Sequence, residues 1–534
     1  MSGDESLKTM SLPPISPFAG ADVASLIAER ARQRASHPFL VWAPFDASPE
    51  IWSYARFAHE VASLAGGLAA RGVRPGDRVI AHLENCPEML LVRFACAWLG
   101  AVCVATNAMA AGPELAWFAE TSNAVAAVTQ PKFAKLLAAH APHLKWIAVT
   151  STDAGTPPAA GTAPAEADSF AALFAEPRPR RAPDPDAPAL ILYTTGTTGR
   201  PKGVVWTHAN LLWGGRLGAM QQGIRADDVV QVFLPMFHVV GFSWTFLPAL
   251  WAGATVVLQP RFSASRFWPA ALEHKATVTT QVLFTINALA QAPVPAHRFR
   301  QWCAARHDPE AQDRFRVPCV LGAWGMTEMV GQPIVGDPAA TPRPHSLGRP
   351  SPAYDIHILD DDGRPVRPGE VGHLLVGGRR GLSIFAGYDG DAAATAEAFD
   401  DHGRFRTGDR VRLHDDGWIQ FSDRTKDIIK VGGEGVSAAE IEAVVAAVSG
   451  VREVAVVGKP DTAYGEVPAA FVILAGDVPP DRAPAISEQI RQHCQTALAK
   501  FKVPREIIVV PDFPRVGFGK IAKAQLRDRF HSKD

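Results

Sequence analysis

Tyr193, Thr194, Thr195, Gly196, Thr197, Thr198, Gly199, Arg200, Pro201, Lys202 and Gly203 follow one another in the chain and combine the residue types that bind phosphate. Gly196 and Gly199 let the backbone approach an anion and turn its amide N–H groups toward it. Four threonines add hydroxyl donors, and Lys202 adds a cation. The apolar run at 187–192 reads as a buried strand, so the loop lies in the turn at a strand end. Gly203 after Lys202 departs from the nucleotide loop G-x-x-x-x-G-K-[ST], and no G-x-G-x-x-G is present. A polar hairpin can have the same composition without any chemistry. What argues for chemistry is the set of motifs that follows.

Trp324-Gly325-Met326-Thr327-Glu328 offers an aromatic plane for a purine, a hydroxyl for a phosphate oxygen and a carboxylate for Mg2+, whose preferred ligands are hard oxygens. In Arg406-Thr407-Gly408-Asp409 a turn presents a carboxylate that can accept both hydroxyls of a ribose. Asp423-Arg424-Thr425-Lys426-Asp427-Ile428-Ile429-Lys430 runs into Gly432-Gly433, and Gly519-Lys520 closes the series. In that order and at those distances, these motifs closely resemble the adenylate-forming (AMP-binding) superfamily of acyl-CoA synthetases, carrier-protein adenylation domains and luciferases. The resemblance spans roughly residues 40 to 528.

The resemblance implies an AMP-forming carboxylate:CoA ligase that uses ATP, Mg2+ and CoA. Thr194, Thr195, Gly196, Thr197, Thr198, Gly199 and Lys202 would hold phosphates, with Trp324 and Asp409 on the nucleoside side and Arg424 at the ribose or a phosphate. Thr327 and Glu328 would act at the phosphates, Glu328 as the Mg2+ ligand. His238, Val239, Gly241, Phe242, Phe284, Gly322 and Ala323 would line the acyl pocket, with His238 at its mouth as a binding group rather than a proton carrier. Lys520 would enter for adenylation; Lys430 and the CoA-binding pair Gly432 and Gly433 would serve thioester formation after rotation about Lys426.

Two departures stand out. Where many members carry a Gly/Ala/Ser-Ala-Pro turn walling the adenine, this chain has Ala304-Ala305-Arg306-His307-Asp308-Pro309, so no adenine contact is carried over to these positions; Gly435 stands where many relatives have asparagine. The sequence around Trp324 and the missing turn are similar to the crotonobetaine/carnitine-CoA-ligase-like branch. Its substrate does not follow: the residues at 281–286 and 322–324 are neutral and mostly apolar and suit an uncharged acyl group, though aromatics such as Trp244 could receive a quaternary ammonium, and aliphatic, alicyclic and aryl acids all stay open. An enzyme that loads a carrier protein is the alternative acceptor chemistry; a non-catalytic nucleotide-binding scaffold would be expected to have lost Lys520 or Glu328.

Elements must position these groups. At 534 residues the chain exceeds one core, so several domains are expected. Alternating helical and short apolar patterns at 57–71, 78–83, 87–99 and 101–104 indicate crossover units and largely parallel sheets. The fold class expected is α/β: two parallel-sheet subdomains at about 1–186 and 187–345, a small distorted β-barrel at 346–423, and a mobile α+β lid at 424–534. Ala- and Pro-rich 151–186 reads as a loosely packed connection.

A composition of 47% hydrophobic and 20% charged residues with net charge −1 describes an ordinary globular protein with no excess drawing it to nucleic acid or anionic lipid. No secretory leader or spanning run is read, so the cytoplasm is expected, and a homodimer is a possible assembly. The six cysteines are scattered without metal-site spacing.

Overall fold

The computed structural model describes residues 15–530 apart from 111, 160, 162–166, 195–200, 425–427, 432–433, 462–463, 477, 499 and 517–519. Thr195, Gly196, Thr197, Thr198 and Gly199 of the phosphate loop, Lys426, Gly432 and Gly433 therefore lie outside the described residues, as do the side chains of Arg424 and Lys430.

Short runs of β-branched and aliphatic residues between amphipathic helices give the chain two large sheets. The first has the order Gly387–Tyr388, Gly203–Thr207, Pro188–Tyr193, Val102–Ala105, Arg78–His82, Ala124–Thr129, Ile147–Val149, Asp168–Ser169. The second has the order Arg349–Pro350, Ile334–Val335, Cys319–Trp324, Gln301–Ala304, Val278–Thr280, Val229–Val232, Thr255–Leu258, Pro38–Trp42, Glu50–Ser53. Central neighbours are parallel in both, and antiparallel strands occupy the edges of the second. Strands buried on both faces must be apolar throughout, and Ala189, Leu190, Ile191 and Leu192 are all fully buried.

The sheets do not follow the expected division at residue 186. Pro188–Tyr193 and Gly203–Thr207 belong to the first sheet, and Pro38–Trp42 crosses to the second, where it pairs with Thr255–Leu258. Pairing follows the apolar face a strand can bury, not its place in the chain. The segment 151–186 is also better packed than its composition suggests: Ala154, Phe170 and Leu173 are buried, and Asp168–Ser169 adds a strand to Ile147–Val149.

Asp355–Leu359, Val371–Gly377, Phe405–Leu413 and Ile419–Arg424 form a four-stranded antiparallel sheet. Sheet membership then changes between Arg424 and Ile428. Ile428–Val431, Glu434–Ser437, Val451–Asp461, Gly465–Leu474 and Glu506–Val509 make a separate small sheet. The helices Ala438–Ala446 and Ala483–Ala497 bury Ile441, Val445, Ile486 and Ile490 against it. No helix among the described residues is long and apolar enough to cross a membrane.

Candidate active site

Three parallel strands of the second sheet, Val278–Thr280, Gln301–Ala304 and Cys319–Trp324, end on one cleft of about 900 Å³. Ligands of open α/β sheets collect at such carboxyl ends, because the loops there are free to vary while the strands hold them. The wall from this sheet includes Val240, Gln281, Val282, Ala304, Ala305, Arg306, Ala323 and Trp324. Val371, Arg410, Arg412 and Phe421 close it from the antiparallel sheet, and Ala439, Glu440, Ala443 and Lys502 from the C-terminal domain.

Trp324 lies in this wall, and its indole Nε1–H donates to Asp409 Oδ2 at 2.8 Å. Gly408 makes the geometry available. It sits at φ +73°, and the backbone N–H of Asp409 donates to Thr407 Oγ1 at 3.1 Å. Asp409 is 4% exposed, and its backbone pairs with that of Arg424 across the strands. The two motifs expected on the nucleoside side, far apart in sequence, are thus one unit.

Glu328 lies in the short 3₁₀ turn Thr327–Met329 and is 4% exposed. Tyr388 Oη donates to Glu328 Oε1 at 2.9 Å, and Trp206 Nε1 donates to the Thr327 carbonyl at 2.9 Å. Burial, then the Glu328 charge, push the Tyr388 phenol well above its ordinary range, which keeps it a donor. Lys202 Nζ stands 4.9 Å from the centre of the Tyr388 ring. One tyrosine thus joins the described end of the phosphate loop to Glu328. Sequence reasoning missed Tyr388; the only local sign was its place in the short strand Gly387–Tyr388, which pairs with Gly203–Thr207 next to that loop. Directly after the turn, Val330 holds φ +62°, a conformation that costs a β-branched residue energy and is retained where surroundings impose it. The imposing contacts include Ser243 Oγ, which donates to the Val330 carbonyl at 2.6 Å.

The described ends of the phosphate loop form a hairpin. Tyr193 pairs with Gly203, and the Thr194 N–H donates to the Lys202 carbonyl at 3.0 Å.

The expected acyl-pocket residues separate. Ala323 lines the cleft. His238 stands just before the π-helix Val240–Phe246, accepts from the Val240 N–H at Nδ1 and is drawn by burial to about 4. It is a neutral imidazole at physiological pH with its proton on Nε2. Val239 is buried, and Gly241 lets the helix press onto the strand end: a Cβ there would come 2.4 Å from the Pro235 carbonyl oxygen. Phe242 is core, stacked on Phe246 with the Arg93 guanidinium 3.8 Å from its ring centre. Phe284 is 56% exposed and turns to Phe262. Gly322 is a close-approach position, where a Cβ would lie 2.4 Å from the Ser346 carbonyl oxygen and 2.7 Å from the His307 nitrogen. That approach seats the departing turn: His307 N–H donates to the Ser346 carbonyl at 2.8 Å, and Asp308 caps the helix Pro309–Phe315.

Lys520 is exposed in the strand Lys520–Ile521, paired with Arg515–Val516, and does not line the cleft. Lys430 pairs through its backbone with Gly435. The domain face turned to the cleft carries instead the helix Ala438–Ala446 and Lys502, whose Nζ lies 2.7 Å from Glu440.

The sequence profile of AMP-binding enzymes matches residues 27–389, and that of the AMP-binding enzyme C-terminal domain matches residues 440–520. The chain belongs to the AMP-binding enzyme family. It is 34% identical over 500 residues, 89% of this chain and 93% of the relative, to a crotonobetaine/carnitine--CoA ligase of Salmonella paratyphi A. Among solved structures it is similar to ATP-bound MatB from Rhodopseudomonas palustris, at 27% identity and a TM-score of 0.82 over 95% of this chain and 99% of that one. It is also similar to o-succinylbenzoate CoA synthetase from Bacillus subtilis in complex with its acyl-adenylate intermediate, at 26% identity and a TM-score of 0.80 over 94% and 98%. The AMP-binding enzyme is an acyl-CoA synthetase: it joins a carboxylic acid to AMP with release of pyrophosphate, then passes the acyl group to CoA.

Proposed function

We propose that the cleft activates a carboxylic acid whose acyl part is uncharged and largely hydrophobic, and that the residues brought together here divide the two steps between them. The observation that carries this reading is the hydrogen bond from Trp324, in the cleft wall, to Asp409. It supports an adenosine held with its ribose at Asp409 and its phosphates directed to Thr327, Glu328 and Lys202. The other expected phosphate ligands, Thr194 to Gly199, belong to the same loop.

A carboxylate resists attack by a thiol because it is anionic and its leaving group would be oxide. Attack of its oxygen on the α-phosphate of ATP removes the charge and creates AMP as leaving group. That step brings two anions together, so preorganised cations and donors must offset the charge. Lys520 would supply one cation after the C-terminal domain turns. The domain would then turn again about Lys426, withdraw Lys520, and bring Lys430, Gly432 and Gly433 to the path of the CoA thiolate.

Mg2+ fits the residues present. Glu328 is a buried carboxylate beside Thr327, and among the described residues no cluster of three or more metal-ligating side chains exists. An ion held by one carboxylate and the substrate's phosphates is the usual arrangement for Mg2+. When bound, the ion neutralises phosphate charge. The cysteines are all unpaired, which agrees with a reducing compartment such as the cytoplasm.

Of the residues lining the cleft, Val240, Trp244, Val282, Ile286 and Ala323 would make its acyl end. These residues carry no carboxylate to balance an ammonium group, which supports an uncharged acid rather than a betaine. The test is a panel of aliphatic, alicyclic, aryl and betaine acids incubated with ATP, Mg2+ and CoA. AMP and thioester are expected in equal amounts with uncharged acids. Acid-independent AMP release, or turnover confined to betaines, would refute the reading.

A further inference from the structure

Met236 is fully buried in the turn between the strand Val229–Val232 and the π-helix Val240–Phe246, and side chains from the other sheet hold both of its backbone polar groups. Asn85 follows the strand Arg78–His82. Its Oδ1 accepts the Met236 N–H at 2.8 Å, and its Nδ2 donates to the carbonyls of Leu234 and Gln259, both at 3.1 Å. An amide turned the other way would set its oxygen against two carbonyls and its NH₂ against an N–H, so the orientation is fixed. Arg93, on the helix Pro87–Leu99, donates through Nη2 to the Met236 carbonyl at 2.9 Å, and its guanidinium lies 3.8 Å from the centre of the Phe242 ring. Asn85 and Arg93 are each 1% exposed.

Burial draws Arg93 down to about 10, so it remains a cation at neutral pH, and the titratable group beside it is the Cys103 thiol rather than a carboxylate. A cation taken out of water without a counter-ion is costly, and an apolar side chain would pack the helix at less cost. What the guanidinium does is hold both ends of one segment, the Met236 carbonyl ahead of His238 and the Phe242 ring after it. Between those ends the Val240 N–H donates to His238 Nδ1 at 3.3 Å, and the Phe242 N–H donates to the His238 carbonyl at 3.1 Å. The fit is close: a Cβ on Gly241 would stand 2.5 Å from the Leu234 carbonyl oxygen, the one Asn85 holds. A π-turn of this kind persists where its surroundings support it, and this one carries Val240 and Trp244 of the cleft wall.

We infer that Arg93 and Asn85 are positioning residues for the acid: they fix the turn at Met236, and through it the π-helix that brings Val240 and Trp244 to the cleft. The inference rests on the ligase reading and extends it to two side chains that do not themselves line the cavity. The groups expected at the nucleotide are held by other contacts, Asp409 by Trp324, and Glu328 by Tyr388. Ser243, which bonds the Val330 carbonyl near Glu328, lies beyond the span that Arg93 holds.

Steady-state kinetics, varying acid and ATP in turn, test this. The probe is whichever of benzoate, cyclohexanecarboxylate, octanoate and a betaine the wild type turns over best. Arg93→Met keeps an unbranched apolar stem and removes the charge and the donors. It should raise KM for the acid roughly tenfold to a hundredfold, the effect of losing a hydrogen bond from a charged group, and leave KM for ATP at its wild-type value. Arg93→Lys, which keeps a cation and a donor, should fall between. Asn85→Asp, which cannot donate to the two carbonyls, should also raise KM for the acid. A residue needed only for folding would change the amount of active enzyme, and so kcat, without moving either KM. That outcome, or an equal rise in both KM values, overturns the inference and leaves the ligase reading standing. Should Arg93→Met give no folded protein, the acid KM of Arg93→Lys and Asn85→Asp decides: raised upholds the inference, unchanged overturns it. A wild type that releases no AMP with any of the acids removes the ligase reading, and this inference with it.

Discussion

The indole N–H of Trp324 donates to the carboxylate of Asp409 across 2.8 Å, so the residue expected to meet the purine also orients the residue expected to meet the ribose. Trp324→Phe keeps the aromatic plane and removes only the donor. A hydrogen bond to a charged group contributes about 1.5–3 kcal/mol, so kcat/KM for ATP should fall roughly tenfold to a hundredfold while KM for the acid stays near wild type. Steady-state kinetics varying each substrate in turn provide the check. An unchanged ATP dependence would mean that the bond has no part in nucleotide binding.

Tyr388 ties Glu328 to the Lys202 side of the phosphate loop. Tyr388→Phe leaves the ring beneath Lys202 and takes away the hydroxyl that holds Glu328. The half-saturating Mg2+ concentration should rise, with kcat/KM lowered by roughly tenfold, the loss of one charge-assisted bond. Titration of activity with Mg2+ at fixed ATP measures this. A curve that superimposes on the wild type argues against Glu328 as the ligand.

Lys520 is exposed and outside the cleft in this arrangement of the C-terminal domain. Lys520→Ala should abolish adenylate formation by 10²- to 10³-fold, the effect of losing about 3–4 kcal/mol of transition-state stabilisation. Thioester formation from supplied acyl-adenylate should remain. Pyrophosphate exchange reads the first step and thioester release the second; equal loss of both contradicts a domain that exchanges one lysine for another face.

His82 and His208 are fully buried, and burial draws each down to about 4. Arg181 donates to His208 Nε2 at 2.8 Å, which requires that nitrogen to be unprotonated. An unfolded histidine titrates near ~6.5. Between these two values the unfolded chain binds protons that the folded chain does not. The stability these residues confer is therefore complete above about pH 6.5 and is lost as pH falls toward 4. By pH 5 each should account for about 2 kcal/mol of lost stability. Thermal melts from pH 7.5 to 4.5 should show Tm falling through this window, with a smaller fall in His208→Gln. A Tm independent of pH there would contradict the assignment.

The contiguous motifs were legible without coordinates. A strand running into a Gly/Thr loop, Glu328 after a tryptophan and an aspartate after Thr-Gly each contain their chemistry in one short stretch, and local spacing is what a sequence displays. Partnerships between stretches were not legible. Tyr388 reaches Glu328 only because Gly387–Tyr388 adds itself to the edge of the first sheet. Phe242 and Phe284 both read as pocket aromatics, yet one is sealed in the core beside Arg93 and the other faces outward against Phe262. Side-chain type says how much apolar area is available to bury; neighbours contributed by distant elements decide whether it is buried.

The order and chemistry of the motifs, and so the family and the reaction, were determined by the sequence alone, because catalytic groups must be particular residues at particular positions along a loop. The crossing of Pro38–Trp42 into the second sheet, the joining of Trp324 to Asp409, and the link from Tyr388 to Glu328 were decided only by tertiary structure. Each depends on packing between segments tens to hundreds of residues apart, and burial and hydrogen-bond satisfaction are properties of the assembled neighbourhood rather than of any residue within it.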